Sequence, residues 1–217
     1  MLLRIHPLYQ MEQFSITKAY EADYRIKGSK FLAFLKPCNG VESIDESIED
    51  LKSLHPTATH HCYACRIDPG DCMEFRQDDG EPAGTAGFPI LNELKSARLV
   101  NSICIVVRYY GGTKLGKSGL IDAYSSAARL AIDKAMLRKI TPTILYSITY
   151  VYDQQALIDK LKHTFTLYES GSEYTDNVQL VVACPLRQQA SFEKYLEGIS
   201  HLMISVEKKG RSIHIKS

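Results

Sequence analysis

The residues best suited to bind a phosphate lie in the glycine loop, residues 111–118, with the sequence GGTKLGKS. Its spacing matches the pattern G-x-x-x-x-G-K-[ST], in which backbone N–H groups surround phosphate oxygens at the start of a helix. In such a loop Lys117 would reach the terminal phosphates and Ser118 would bind magnesium. Taken alone, the pattern predicts a nucleotide ligand.

The elements around the glycine loop argue against nucleotide hydrolysis. The apolar strand NSICIVVRYY precedes the loop and a helix over residues 118–137 follows, but folds that hydrolyse nucleotides continue with several parallel strands. An intermediate hypothesis keeps only the anion chemistry, with Arg108, Lys114 and Lys117 gripping an RNA phosphate beside exposed amides. We favour this hypothesis over hydrolysis, and a purely structural turn is the other alternative.

A second candidate is the acidic loop, residues 78–86, in the stretch RQDDGEPAGTAGFPI. Its acids Asp78, Asp79 and Glu81 invite a metal or acid–base hypothesis. The structural alternative, which we prefer, is an Asp-Gly turn whose carboxylates accept hydrogen bonds from backbone amides. Because both loops lead into helices, they could face each other and pair Asp78 or Asp79 with Arg108.

The cysteines and histidines of TATHHCYACRI suggest a zinc site, because Cys62 and Cys65 have the C-x-x-C spacing beside two histidines. A second such pair is missing, and side chains alternate along a strand, so Cys62 and Cys65 would point to opposite faces. A cysteine nucleophile would also need a positioned base. We therefore expect buried cysteines, with no metal, no cofactor and no catalytic residue.

The composition is that of an ordinary globular protein: 217 residues, 45% apolar and 24% charged, with a formal net charge of +1. The length suits two domains, and the charge balance lacks the basic excess of a dedicated nucleic-acid-binding domain. No apolar run approaches the roughly 20 residues that span a bilayer, and the first residues do not resemble a cleaved signal. Scattered cysteines suit a reducing compartment. We expect a cytoplasmic protein without membrane contact.

Periodicity predicts an α+β protein with two domains, residues 1–137 and 138–217. The first contains a hairpin over residues 13–37, an amphipathic helix over 41–55 and a second hairpin that turns at 68–71. Two helices follow, on either side of the strand NSICIVVRYY. The second domain has the order β-α-β-β-α-β of a ferredoxin-like fold, which occurs with many unrelated functions.

Four segments together resemble the IMPACT family and its bacterial YigZ-type members: RIKGSKFLAFL, ATHHCYACRI, DDGEPAGTAGFPIL and VVRYYGGTKLGKSGLIDAYSSAA. The pattern DDGEP-x-GTAG, followed by RYYGG-x-KLG-x-x-GL-x-x-AY, is far longer than the nucleotide motif inside it. The family usually has a small residue at the position of Lys117, so that motif looks accidental. The resemblance implies an α/β sandwich like a small-subunit ribosomal protein domain, also seen in the translocating elongation factor, followed by a ferredoxin-like domain.

Such a pair of domains implies contact with RNA or the ribosome, and eukaryotic relatives are linked to translational control through protein partners. The resemblance implies no catalytic residues. We therefore predict a translation-associated regulator, without catalytic activity, that binds RNA, the ribosome or a regulatory protein. The alternative is an enzyme that binds a nucleotide or another phosphate ligand at the glycine loop. The predicted binding positions are Asp78, Asp79, Glu81, Gly84, Thr85, Arg108, Tyr109, Gly111, Gly112, Lys114, Gly116 and Lys117.

Overall fold

A computed structural model describes residues 12–67 and 72–215, so the expected turn at 68–71 lies outside the described residues. The chain divides into two compact units, the first ending at Lys139 and the second beginning at Ile140. The described strands and α-helices are, in chain order, β1 (Phe14–Ser15), β2 (Tyr20–Ile26), β3 (Ser29–Pro37), α1 (Glu42–Leu54), β4 (His60–Ile67), β5 (Met73–Gln77), α2 (Gly87–Ser96), β6 (Ser102–Tyr109), α3 (Gly116–Asp133), β7 (Arg138–Tyr150), α4 (Gln155–Thr164), β8 (Tyr168–Tyr174), β9 (Val178–Pro185), α5 (Gln189–Ile199) and β10 (Ser205–Ile215).

The first unit is built on a five-stranded sheet in the order β2-β3-β6-β4-β5. Each strand pairs antiparallel with its neighbours. The central strand β6 is buried along nearly its whole length because helices cover both faces of the sheet. A strand with two covered faces is apolar without alternation, as SICIVVRY is.

The two faces of this sheet carry different helices. Helix α1 covers one face through its apolar stripe of Ile44, Ile48 and Leu51. Helices α2 and α3 cover the other, where Ala123, Ala127 and Ala131 of α3 are fully buried and let the helix approach the sheet closely. Helix α3 ends at Asp133, before the predicted end at residue 137, because the chain turns there towards β7.

The second unit confirms the predicted β-α-β-β-α-β order, in an antiparallel sheet with the strand order β10-β7-β9-β8. Helices α4 and α5 lie on one face, where Ile158 and Phe192 pack against alternate residues of β7 and β9. The first two residues of β7 belong to the first unit and pair there with β1. None of the helices in the described ranges is long and apolar enough to cross a membrane.

Candidate binding surface of the first unit

Asp78 organises the acidic loop by capping helix α2. One carboxylate oxygen accepts hydrogen bonds from the amides of Ala86 and Gly87 at 3.0 and 2.8 Å, and the other accepts the amide of Gly84 at 2.8 Å. Burial alone would raise the pKa of Asp78, but these three bonds outweigh it and hold the pKa below its ordinary value. Asp78 thus accepts hydrogen bonds from backbone amides, as the structural alternative in the sequence analysis predicted.

Asp79 lies in the turn that follows strand β5 and is hydrogen-bonded to strand β4. Its φ of +44° and the φ of +85° at Gly80 reverse the chain there. The Asp79 carboxylate accepts the backbone amide of His61 at 2.6 Å, and its carbonyl lies 2.6 Å from Nδ1 of His60. Both aspartates are thus occupied with holding the backbone.

Glu81 forms the buried ion pair of this region. Its carboxylate binds Nη1 of Arg108, and the exposed fractions of the two side chains are 3% and 6%. The hypothesis that Asp78 or Asp79 pairs with Arg108 is therefore wrong. The turn at Asp79 directs the aspartates towards backbone amides and leaves Glu81 to enter the interior.

The ion pair sits inside a larger polar network. The hydroxyl of Tyr124, on α3, donates to Glu81 at 2.8 Å, and Nε2 of His60 lies 3.9 Å from the same carboxylate oxygen. The thiol of Cys62 reaches the Tyr124 hydroxyl at 3.3 Å and the carbonyl of Asp78 at 2.9 Å. Burial raises the pKa of the Cys62 thiol and of the Tyr124 phenol, so both stay protonated. The network joins β4, β6, α3 and the acidic loop.

The glycine loop is anchored on the turn between β2 and β3. A Cβ on Gly111 would lie 1.9 Å from the carbonyl carbon of Gly28, so only glycine allows this approach of the two backbones. The Gly111 amide donates to Oγ of Ser29 at 3.1 Å, and the Tyr110 amide donates to Oγ1 of Thr59 at 3.1 Å. These contacts fix the first part of the loop.

An exposed aromatic ring directly precedes the glycine loop, and the loop itself carries two exposed cations. Tyr110 is 47% exposed, and its ring lies 5.5 Å from the buried guanidinium of Arg108. Lys114 and Lys117 are exposed, and none of the side chains in the described ranges caps the first turn of α3. We call Tyr110, Lys114 and Lys117 the loop surface.

Two predicted binding residues, Thr85 and Tyr109, lie outside the loop surface. Thr85 is 2% exposed and donates its hydroxyl to the carbonyl of Pro82 at 2.7 Å, so it stabilises the acidic loop from inside. Tyr109 follows Arg108 on a strand and faces α1, where its hydroxyl lies 2.9 Å from Nδ1 of His55. Gly84, Gly112 and Gly116 have positive φ and line the exposed parts of the two loops.

The zinc hypothesis fails on the direction of the side chains. Cys62 packs with α2 and α3 and Cys65 packs with α1, as strand alternation predicts. Within the described ranges, no three His, Cys, Asp or Glu side chains form a group that could hold a metal ion.

The sheet around the glycine loop differs from that of a nucleotide-hydrolysing fold. Strand β6, which leads into the loop, lies between β3 and β4, and both run antiparallel to it. In the βαβ folds that carry phosphate-binding loops, the neighbouring strands are parallel and their carboxyl ends meet at the ligand. The match to the nucleotide motif therefore lacks its structural context.

A separate cleft of about 250 Å³ opens on the α1 face, lined by Asp45, Ile48, Glu49, Lys52, His61, Tyr63, Gln77 and Asp79. Burial lowers the pKa of His61, although the nearby Asp79 carboxylate partly opposes this, so the imidazole is neutral at pH 7. Asp79 alone among the predicted binding residues borders this cleft.

Comparisons with known proteins identify a family model and several relatives of this chain. The family model of the Impact N-terminal domain matches residues 27–132. The IMPACT family member YigZ of Escherichia coli (strain K12) is 36% identical over 177 residues, which cover 81% of this chain and 87% of the relative. The member YvyE of Bacillus subtilis (strain 168) is 30% identical over 190 residues, 87% of each chain. The crystal structure of a hypothetical protein superimposes with a TM-score of 0.64 at 31% identity, covering 91% of this chain and 96% of its own.

Proposed function

This chain belongs to the IMPACT family, and from that premise we propose that it regulates translation by binding RNA through the loop surface of its first unit. The link to translation follows from what the family resemblance implies. The choice of RNA follows from the chemistry of Tyr110, Lys114 and Lys117. The proposal includes no catalytic step.

The observation that carries the proposal is an exposed ring and two exposed cations within eight residues of one another on a segment whose start is anchored. Ammonium groups attract phosphates, and a tyrosine ring offers a face on which an unpaired base stacks. Stacking on an aromatic side chain contributes about 1–3 kcal/mol per base. Because Gly111 is fixed against Gly28, the start of the loop need not be ordered when RNA binds.

Arg108 has a supporting role in this proposal. Its Nη1 is bound to Glu81 and its side chain is 6% exposed, so it is not available to a phosphate. Its guanidinium lies 5.5 Å from the centre of the Tyr110 ring, a distance at which a cation stabilises an aromatic face. Arg108 therefore positions Tyr110 rather than gripping RNA.

The experiment is fluorescence anisotropy of a labelled structured RNA with single-stranded loops, titrated at low and high salt. We expect binding that weakens steeply with salt, and Lys114→Ala or Lys117→Ala should each lower affinity about threefold to tenfold and reduce the salt slope by about one. Tyr110→Ala should weaken binding without changing that slope, since it removes no charge.

Lys194→Ala is the matched control, because it removes an exposed lysine from helix α5 of the second unit. An effect of this variant equal to that of Lys114→Ala would indicate binding by overall charge and would overturn the proposed surface. In a parallel titration with a labelled ATP analogue and magnesium, saturable binding that Lys117→Ala abolishes would favour the enzyme alternative. Silence in both titrations would favour a protein partner.

A further inference from the structure

Two buried thiols touch in the first unit, away from the loop surface. Sγ of Cys65, on β4, lies 3.4 Å from Sγ of Cys38, which directly follows β3. Both side chains are almost completely buried, and both belong to the core between α1 and the sheet. We propose that Cys38 and Cys65 form a reversible disulfide when the protein meets a hydroperoxide.

The surroundings make the two thiols chemically unequal. Cys65 donates its S–H towards Cys38, while Oγ of Ser43 lies 3.1 Å from the Cys38 sulfur on the other side. The hydrogen bond from Cys65 is the main cause that lowers the pKa of Cys38; burial opposes it, and the contact with Ser43 adds to the lowering. The same contact with Cys38, together with burial, raises the pKa of Cys65. Cys38 is therefore the nucleophile and Cys65 the resolving thiol.

The reaction follows from these roles and balances with one hydroperoxide. The Cys38 thiolate attacks one peroxide oxygen, the O–O bond breaks, and the other oxygen leaves with the thiol proton as water or an alcohol. The sulfur of Cys65 then attacks the sulfenic acid at Cys38, its S–O bond breaks, and the oxygen leaves as water with the Cys65 proton. Two thiols and one hydroperoxide give one disulfide and two hydroxyl products, one of them water.

Formation of the disulfide requires only a small movement at Cys38. The sulfurs must approach from 3.4 Å to about 2.05 Å. Cys65 is held in the middle of β4, but Cys38 begins the short connection to α1, in which Asn39 and Val41 are exposed. The Cys38 amide donates to the carbonyl of Asn101 at 2.9 Å, which anchors its backbone. The sulfurs therefore come together by rotation of the Cys38 side chain, and a shift of residues 39–41 opens a path for a small oxidant. The other buried cysteines differ: burial raises the pKa of Cys104 to about 12, which keeps it protonated.

The test is mass spectrometry of the whole chain after brief treatment with hydrogen peroxide and alkylation of the remaining thiols. We expect one disulfide, seen as a mass about 2 Da lower before alkylation, and a peptide pair joined through Cys38 and Cys65. Dithiothreitol should reverse it. The control Cys104→Ala should form the same disulfide. Cys65→Ser keeps a hydrogen-bond donor beside Cys38 but removes the resolving sulfur, so it should accumulate a sulfenic acid on Cys38 that a 1,3-dione traps.

The wild-type peptide map decides the question even if a variant folds poorly. A disulfide that joins Cys65 to Cys72, or any other pair, would overturn the proposal. So would peroxide treatment that oxidises methionine while Cys38 and Cys65 both remain open to alkylation after unfolding. Because RNA binding is not needed for this reaction, its outcome is independent of the proposed function.

Discussion

Replacement of Glu81 by glutamine tests whether the buried ion pair holds the two loops together. The change keeps the size of the side chain and its hydrogen bond from Tyr124 but leaves the Arg108 charge uncompensated at 6% exposure. Breaking a buried pair by removing one partner costs about 3–5 kcal/mol in the free energy of unfolding. With a urea m-value of about 2 kcal/mol/M, the midpoint should fall by roughly 1.5–2.5 M.

The assay is urea unfolding read by pulsed hydrogen exchange and mass spectrometry, because peptides from β6 and β9 report the two units separately. Tyr124→Phe is the milder comparison, because it removes the hydrogen bonds to Glu81 and from Cys62 and leaves the ion pair; it should cost about 2 kcal/mol. The double variant Glu81→Gln, Arg108→Met leaves no isolated charge and should recover most of the loss. A cost below about 1 kcal/mol for Glu81→Gln, or a double variant no better than the single, would refute the reasoning.

Two further predictions concern the loops. Gly111→Ala should unfold the first unit at lower urea and weaken RNA binding, because its Cβ would overlap backbone; Gly112→Ala, with a φ of +84° but open space around it, should cost only about 1 kcal/mol. Equal costs in urea unfolding would contradict this. Asp78 stabilises the fold fully above its unfolded pKa of about 3.9, and this contribution is lost as pH falls through its lower folded pKa. Asp78→Asn should therefore lower the Tm at pH 7 and flatten its decline towards pH 3, whereas parallel Tm curves would exclude this role.

The fold followed from periodicity and turn residues. Alternation in β7 and the order of the elements after it predicted the second unit, and the stripe of Ile44, Ile48 and Leu51 predicted α1. The end of α3 was missed by four residues because Lys134 to Leu137 have good helix propensity. The path of residues 134–137 depends on where β7 pairs with β1, and the local sequence does not indicate that pairing.

The site was harder to predict, because the sequence shows which residues are charged but not which way they point. Asp78, Asp79 and Glu81 look equivalent in DDGE, and only the positive φ at Asp79 and Gly80 decides that Glu81 turns inward. His60, Cys62 and Tyr124 were also not predicted to join the polar network around Glu81. Alternation on β4 would have put the first two on one face, and the tyrosine interrupting an alanine-rich face of α3 was a visible signal.

For Tyr109, the alternation of side chains along a strand already indicates which side of the sheet it faces. Adjacent residues of a strand face opposite sides, so Arg108 and Tyr109 cannot both point towards α3. Tyr110, the next residue, is the ring beside Arg108. The two-residue period of a strand therefore favours Tyr110 over Tyr109 as the ring on the same side as Arg108.

The central position of β6 has a consequence for synthesis of the chain on the ribosome. The hairpin β2-β3 and the hairpin β4-β5 do not pair with each other, because β6 separates them in the sheet. Until residue 109 leaves the exit tunnel, the inner edges of both hairpins carry unpaired N–H and C=O groups. The first unit therefore cannot complete its sheet early, and the two strand edges stay open until β6 has left the tunnel.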